Sequence, residues 1–250
     1  MSLAERTEGT LLGGRVKFAQ PAKGYRAAID PVLLAAAVPA TAGESVLELG
    51  CGAGAALLCL ARRVEGLHTT GLERDGETAA LARENVEANG FGARVAVLTG
   101  ALESTALPAA AFDHALMNPP HLDAARHRAS LDPHKRAADL EDGPPLGAWA
   151  AAAARALKPR GTLTLVHRAD RLPEILAALS GFGGILIFPL WPKPGRAAKR
   201  ILVQASKGSK QPPALLPGLV LHREDGAYTP EADAVLRDGA GLTLTGTIDA

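Results

Sequence analysis

The sequence predicts an α/β protein with a mostly parallel sheet covered by helices on both faces, and three observations lead there. Short apolar runs alternate with segments of helical periodicity through the middle of the chain. One of these runs, V-L-E-L at residues 46–49, passes straight through a glycine-rich turn into an apolar helix, the strand-turn-helix of a right-handed βαβ unit. A length of 250 residues suits one such domain with additions at its ends.

In order, residues 1–14 are polar and close on L-L-G-G, and a short strand at 15–18 runs into the turn Q-P-A-K-G, which together read as an N-terminal hairpin. Residues 29–38 fit a helix capped by Asp30 with Pro31 at its first position. Strand 46–49 and helix 55–63 follow, then a strand at 67–73 and a helix at 78–89 stopped by Gly90. Further strands are expected at 94–98 and 113–117, an Ala-rich helix at 148–157, and a strand at 162–167 after the turn K-P-R-G. A helix at 172–180, strands at 185–188 and 200–205, and a linker at 206–217 lead to a tail. The tail holds a short strand at 219–222, a turn at 224–226 and a helix opened by Thr229, Pro230 and Glu231. The expected organisation is an extension over 1–40, a cofactor-binding domain over 41–206, and a C-terminal extension over 207–250 packed on the same domain.

Lys and Arg number 27 against 26 Asp and Glu, so a nucleic-acid partner has to be held by local patches rather than by net charge. The two cysteines, Cys51 and Cys59, sit within one strand-turn-helix unit as small buried residues, which predicts reduced thiols. The N-terminus has no apolar core of a signal peptide and no apolar run reaches membrane-spanning length, so a cytoplasmic protein without a membrane anchor is expected. No metal-ligand cluster is expected.

Gly50, Gly52 and Gly54, with Cys51 between the first two, form a turn where a backbone must bend sharply and admit a ligand closely. Gly50, Gly52 and Ala55 also meet the dinucleotide pattern G-x-G-x-x-G/A, so a nicotinamide or flavin site is open on spacing alone. Glu48 argues the other way. An acid two residues before the first glycine repels a pyrophosphate and suits a cation, such as the sulfonium and ammonium of S-adenosylmethionine. The stretch resembles motif I of the class I methyltransferases.

Glu73, followed by Arg74, ends the next strand where an open α/β sheet places the reader of the cofactor ribose; an exposed turn acid is the plainer alternative. After the third strand stand Gly100, Ala101, Leu102 and Glu103, without the acid that such enzymes often carry there for adenine. The Ala101 and Leu102 backbone, or Glu103 from further on, is left to make that contact. Directly after the fourth strand comes N-P-P-H, Asn118, Pro119, Pro120 and His121. The Asn118 side-chain oxygen and the Pro119 carbonyl can together hold an amino nitrogen and drain charge as it attacks. The plainer alternative is a proline turn. N-P-P-aromatic is found in methyltransferases acting on amino groups attached to planar systems, and His121 departs from the usual Tyr or Phe while still able to stack on a base.

Arg126, Arg128, Lys135 and Arg136 follow this motif, and Lys193, Arg196, Lys199 and Arg200 belong to a second stretch that runs without an acid to Lys210. Both suit RNA phosphates, or are a solvated charged surface.

G-Y-R-A-A-I-D-P-V-L-L-A-A-A from Gly24, L-E-L-G-C-G-A-G, L-E-R-D, M-N-P-P-H and the basic loops together resemble the bacterial tRNA1(Val) adenine-N6 methyltransferase family. The resemblance implies a Rossmann-like class I fold, a seven-stranded sheet whose last strand runs antiparallel beside the fifth, S-adenosylmethionine as cofactor and tRNA as partner. It also implies a role for Asp30 near the cofactor, an alternative to helix capping. Other readings are a protein glutamine methyltransferase, for which 40 residues before motif I leave little room, an rRNA or DNA amino-methyltransferase, a nicotinamide oxidoreductase and a non-catalytic RNA-binding module.

Overall fold

The computed structural model describes residues 6–22, 28–120 and 144–244. Strand β3 (Ser45–Leu49) is central because its side chains are buried on both faces: Val46 packs among helices on one side, Leu47 and Leu49 on the other. This explains an unbroken apolar run where a one-sided strand would alternate. Around it lie β4 (His68–Glu73), β5 (Val95–Thr99), β6 (Phe112–Met117), β7 (Leu157–Arg168), β8 (Phe182–Trp191) and β9 (Arg200–Lys207) in the order β8-β9-β7-β6-β3-β4-β5. β9 is antiparallel to both neighbours and every other pair in this seven-stranded set is parallel, as expected. Two short strands, β10 (Ala214–Leu215) and β11 (Leu219–Val220), add to the edge of β8, so part of the expected linker is strand.

Helices α1 (Asp30–Ala37), α2 (Ala55–Arg63) and α3 (Gly76–Ala88) cover one face, and α4 (Leu146–Ala156) and α5 (Leu172–Ala178) the other. α3 starts earlier than its periodicity suggests because Asp75 accepts from the Thr78 N–H and caps it. Asp30 is not a cap. Ile29 holds that position without a side-chain bond, and the Asp30 carboxylate lies inside the first turn, 3.0 Å from Arg200 Nε. The K-P-R-G turn is a bulge within β7, across which pairing with β6 jumps from Leu157 opposite Phe112 to Thr162 opposite His114.

β1 (Arg6–Leu11) and β2 (Val16–Pro21) form the expected hairpin, apart from the main sheet. Two asparagines on α3 hold it. The Asn89 carboxamide accepts from Lys17 N–H at 2.9 Å and donates to Lys17 C=O at 2.8 Å; Asn85 does the same with Ala19, both at 2.8 Å. Four helical residues rise about 6 Å and two strand residues about 6.8 Å, so side chains at i and i+4 can pair with alternate residues of a strand edge. Asn85, 3% exposed, also donates to Ala53 C=O in the glycine turn. The hairpin tip meets the C-terminal extension, where Arg15 donates to Arg237 C=O and Leu12 shares a core with Leu236 and Leu244.

At the edge of the sheet where β3 begins, the Asp113 carboxylate accepts from Ser45 N–H, the Ser45 hydroxyl and Lys158 Nζ at 2.7 to 2.9 Å. Burial alone would raise this carboxyl, but the bonds to Lys158 and Ser45 outweigh it and bring its pKa down to about 2.

Asn85→Ala removes a buried side chain that bonds part-buried backbone groups of Ala19 and Ala53, so it should lower unfolding free energy by about 1 to 3 kcal/mol, and more-exposed Asn89→Ala by less. Denaturant titration measures both. Because Asp113 is depressed in the folded state, its contribution is complete above about pH 4 and lost as pH falls toward 2, by about 1 to 2 kcal/mol. Asp113→Asn should flatten the acid limb of the stability curve over that window.

Candidate active site

The chain runs from β3 outward through β4 to β5, then returns to start β6 on the other side of β3, so the sheet has its switch point between β3 and β6. The crevice beyond the strand ends at such a point is where open α/β sheets bind ligands. Register brings the sequence-predicted residues to it. Leu49 is opposite both Leu72 and Met117, so Glu73, Gly50 and Asn118 leave three neighbouring strands at one level, about 4.8 Å from one strand to the next. Glu73 is in turn opposite Thr99, which places Gly100, Ala101 and Leu102 at the far end of the same row.

The turn takes its shape from two contacts that sequence reading missed. Gly50, at φ +67°, lies under the Trp149 indole of α4, where a Cβ would come within 2.5 Å of the ring. Trp149 is itself fixed by its N–H, which donates to Pro144 C=O at 3.2 Å. A single tryptophan in an otherwise Ala-rich helix was the only signal of this contact. The second is Asn85, bonded to Ala53 as described above. Gly52, at φ +55°, has open space where a side chain would be. Cys51 is buried with its sulfur against Gly71, and burial, then the charge of Glu48, pushes its thiol up, so it stays protonated and inert.

The N–H groups of the turn are largely engaged within the protein. Cys51 N–H donates to Leu72 C=O, Gly52 N–H to Glu73 Oε2 at 2.9 Å, Gly54 N–H to Cys51 C=O, and Leu57 N–H to the Glu48 carboxyl. A dinucleotide site needs such donors for its pyrophosphate; here two acids face the turn instead. Glu48 is 3% exposed, and its Oε2 is buried without a hydrogen-bond partner among the described residues. Burial, with Glu73 nearby, raises its pKa well above the usual carboxylate range. Glu73 accepts from Gly52 and Asp75 N–H, one on each oxygen, and a carboxylate has lone pairs left for ribose hydroxyls. An orphan buried acceptor, an open glycine face and a half-exposed carboxylate fit S-adenosylmethionine, whose cations and ribose match them. Arg74 is exposed beside this row, and Gly54, at φ +90°, closes the turn as the N-cap of α2.

Asn118 is partly exposed at the mouth of the crevice, Pro119 is buried and Pro120 exposed. His121, Arg126, Arg128, Lys135 and Arg136 lie outside the described residues. Asp30 and Arg200 pair at the start of β9, so the cap expected of Asp30 is not formed, and the guanidinium expected to meet phosphate also holds a carboxylate through its Nε. The second basic stretch is also divided. β9 crosses the sheet, so Lys193, Arg196 and Lys199 lie on the crevice edge and Lys207 and Lys210 on the opposite one.

Glu48→Gln, which keeps an acceptor for Leu57 N–H but removes a carboxyl able to ionise beside a bound cation, should weaken S-adenosylmethionine binding by about 1.5 to 3 kcal/mol, and Glu73→Gln by a similar amount. Calorimetric titration reads both; an unchanged affinity in Glu48→Gln would leave that residue a helix-terminus acceptor only.

A family model for a methyltransferase domain matches residues 46–139. A tRNA1(Val) (adenine(37)-N6)-methyltransferase of Aeromonas hydrophila is 29% identical over 203 residues, covering 80% of this chain and 84% of that one. The enzyme of that description from Porphyromonas gingivalis is 28% identical over 219 residues, with coverage of 82% and 85%. Among solved structures, a predicted O-methyltransferase from Agrobacterium tumefaciens superposes with a TM-score of 0.72 at 31% identity, covering 86% of this chain and 98% of its own. An S-adenosylmethionine-dependent O-methyltransferase from Thermotoga maritima, 19% identical over 75% of this chain and 68% of its own, shares the fold with a TM-score of 0.54. With acids rather than open N–H groups around its glycine turn and relatives of this kind along most of its length, the chain belongs to the class I S-adenosylmethionine-dependent methyltransferases and is similar over most of its length to bacterial tRNA1(Val) adenine-N6 methyltransferases.

Proposed function

We propose that this protein transfers a methyl group from S-adenosylmethionine to the exocyclic N6 of an adenine in tRNA, with Asn118 and Pro119 as the acceptors that hold the amine. The observation that carries this reading is the register that sets Asn118 level with Gly50 across the switch point. An amine brought to Asn118 is therefore one strand from the glycine turn.

When bound, S-adenosylmethionine supplies an electrophilic methyl group on a sulfonium. The protein's part is positional and electrostatic. Glu73 accepts from the ribose hydroxyls and Glu48 lies behind the turn toward the positive charge. The Asn118 side-chain oxygen and Pro119 C=O accept from the two N–H bonds of the target amine, aiming its lone pair into the crevice. Their acceptance strengthens as the nitrogen becomes positive, so the contact favours the transition state over the bound substrate. A base in a folded RNA must be unstacked to reach this position, and His121 is the residue assigned to stack on it. A tRNA substrate places the reaction in the cytoplasm, and the exposed crevice-edge cations Arg196 and Lys199 offer it phosphate contacts.

The Agrobacterium structure's description favours one other reading, an oxygen acceptor. Methylating a hydroxyl requires a group that removes its proton, which neither an asparagine nor a proline carbonyl can do. An amine attacks with its protons in place, so acceptors suffice for the transfer, and the surplus proton of the methylated nitrogen leaves to solvent afterwards. N-P-P therefore supports the amine.

Asn118→Ala should lower single-turnover methylation of tRNA by about 2 to 4 kcal/mol of barrier while leaving cofactor affinity nearly unchanged. Nucleoside mass spectrometry of the product identifies the site; methyl on a ribose oxygen, or a fully active Asn118→Ala, would overturn the reading.

A further inference from the structure

β8 extends past the level of the catalytic row, and its last residue does not face the core. Leu190 pairs with Arg200 of β9, and on the other side Leu219 and Val220 of β11 pair with Leu190 and Trp191. Leu190 and Leu219 are buried together under the C-terminal extension. Side chains alternate along a strand, so Trp191 and Val220 lie side by side on the opposite face, where they are only partly covered. Together with Lys193, Pro194, Gly195 and Arg196 they line an open groove.

The indole is held rigidly there. Its N–H donates to Pro217 C=O at 2.9 Å, and Gly218 packs so closely that a Cβ would come within 2.8 Å of that nitrogen. Lys193 forms one wall and donates to the Glu224 backbone carbonyl at 2.9 Å, a neutral partner that leaves its charge in place. Arg196 is exposed, on a turn closed by its own N–H to Lys193 C=O. The chain from Trp191 to Lys210 contains no acid.

This groove is on the same sheet edge as Asn118. Met117, Leu165, Val203 and Ile187 are aligned across β6, β7, β9 and β8, so the groove is three strands, about 14 Å, from the catalytic row and about 10 Å further out. A fixed aromatic ring flanked by cations, with no acid on the loop, is the arrangement on which single-stranded nucleic acid stacks its bases and lays its phosphates.

We propose that the Trp191–Val220 face is an RNA subsite. A nucleobase near the target adenosine stacks on Trp191, and a neighbouring phosphate pairs with Arg196. The subsite rests on the reading of the protein as a tRNA methyltransferase and adds a second hold on the RNA outside the crevice.

The test is binding of a tRNA transcript to the full chain with saturating S-adenosylhomocysteine, read by fluorescence anisotropy over a salt series. Trp191→Ala should weaken binding about tenfold without changing the slope of log affinity against log salt, and Trp191→Phe should recover most of the loss. Arg196→Ala, an exposed change, should lower that slope by about one phosphate contact. All three variants should keep the parent's cofactor affinity and melting temperature. Parent-like tRNA binding in both Trp191→Ala and Arg196→Ala overturns the subsite while leaving the methylation reading intact. So does a loss that Phe does not rescue and that comes with a lowered melting temperature, or a Trp191→Ala protein whose oligomeric state has changed. A parent protein that methylates no tRNA defeats the underlying reading instead.

Discussion

The bond from Gly52 N–H to the Glu73 carboxylate, with the matching contact of Leu57 N–H to Glu48, is the constraint from which the site's character follows. A glycine turn before a helix is by default an anion site, because its N–H groups point at whatever lies above it. Here acids from the central strand and its neighbour take donors that a phosphate would use, and the half-exposed Glu73 carboxylate lies where phosphate would sit. The backbone shape common to nucleotide-binding sheets is kept, while its electrostatic sign is reversed. That reversal suits a cationic cofactor better than a pyrophosphate.

The two carboxylates differ in exposure and therefore in what they can do. Glu48 is enclosed, so its charge is costly until a cation arrives, and burial raises its pKa accordingly. Glu73 is half-exposed at a strand end, with bonds to Gly52 and Asp75 that fix its direction. In the proposed function one would serve as a buried counter-charge and the other as a preset pair of acceptors. Asn118 completes the row on the far side of the switch point, and because three strand ends fix the row, its spacing belongs to the sheet and not to a loop.

Segments outside the sheet are tied to the site by polar side chains that mimic backbone. Asn85 joins the N-terminal hairpin to the glycine turn through Ala19 and Ala53. Trp149 does the same from the opposite face by resting on Gly50. The turn is thus clamped from both sides of the sheet.

Much of this was legible in the sequence. The alternation of apolar runs and helices, the glycine turn with its acid, Glu73 at a strand end and N-P-P after the fourth strand are local patterns, set by periodicity, steric demand and charge within a few residues. Asp30 shows the limit: Asp-Pro before an apolar run is a sound cap signal, yet a bond to Arg200, 170 positions away, replaced the cap. The basic stretch from Lys193 to Lys210 looked like one patch because it is continuous along the chain, but a strand carries its two ends to opposite edges of the sheet. Asn85 looked like any polar residue on a helix, and only the docking of β2 made it a buried bridge. Sequence by itself determined which residues could do the chemistry, because chemical type and local geometry are properties of short segments. Tertiary structure decided which of them meet and which charges are already paired, because those depend on strand order and register, which bring distant positions within bonding distance.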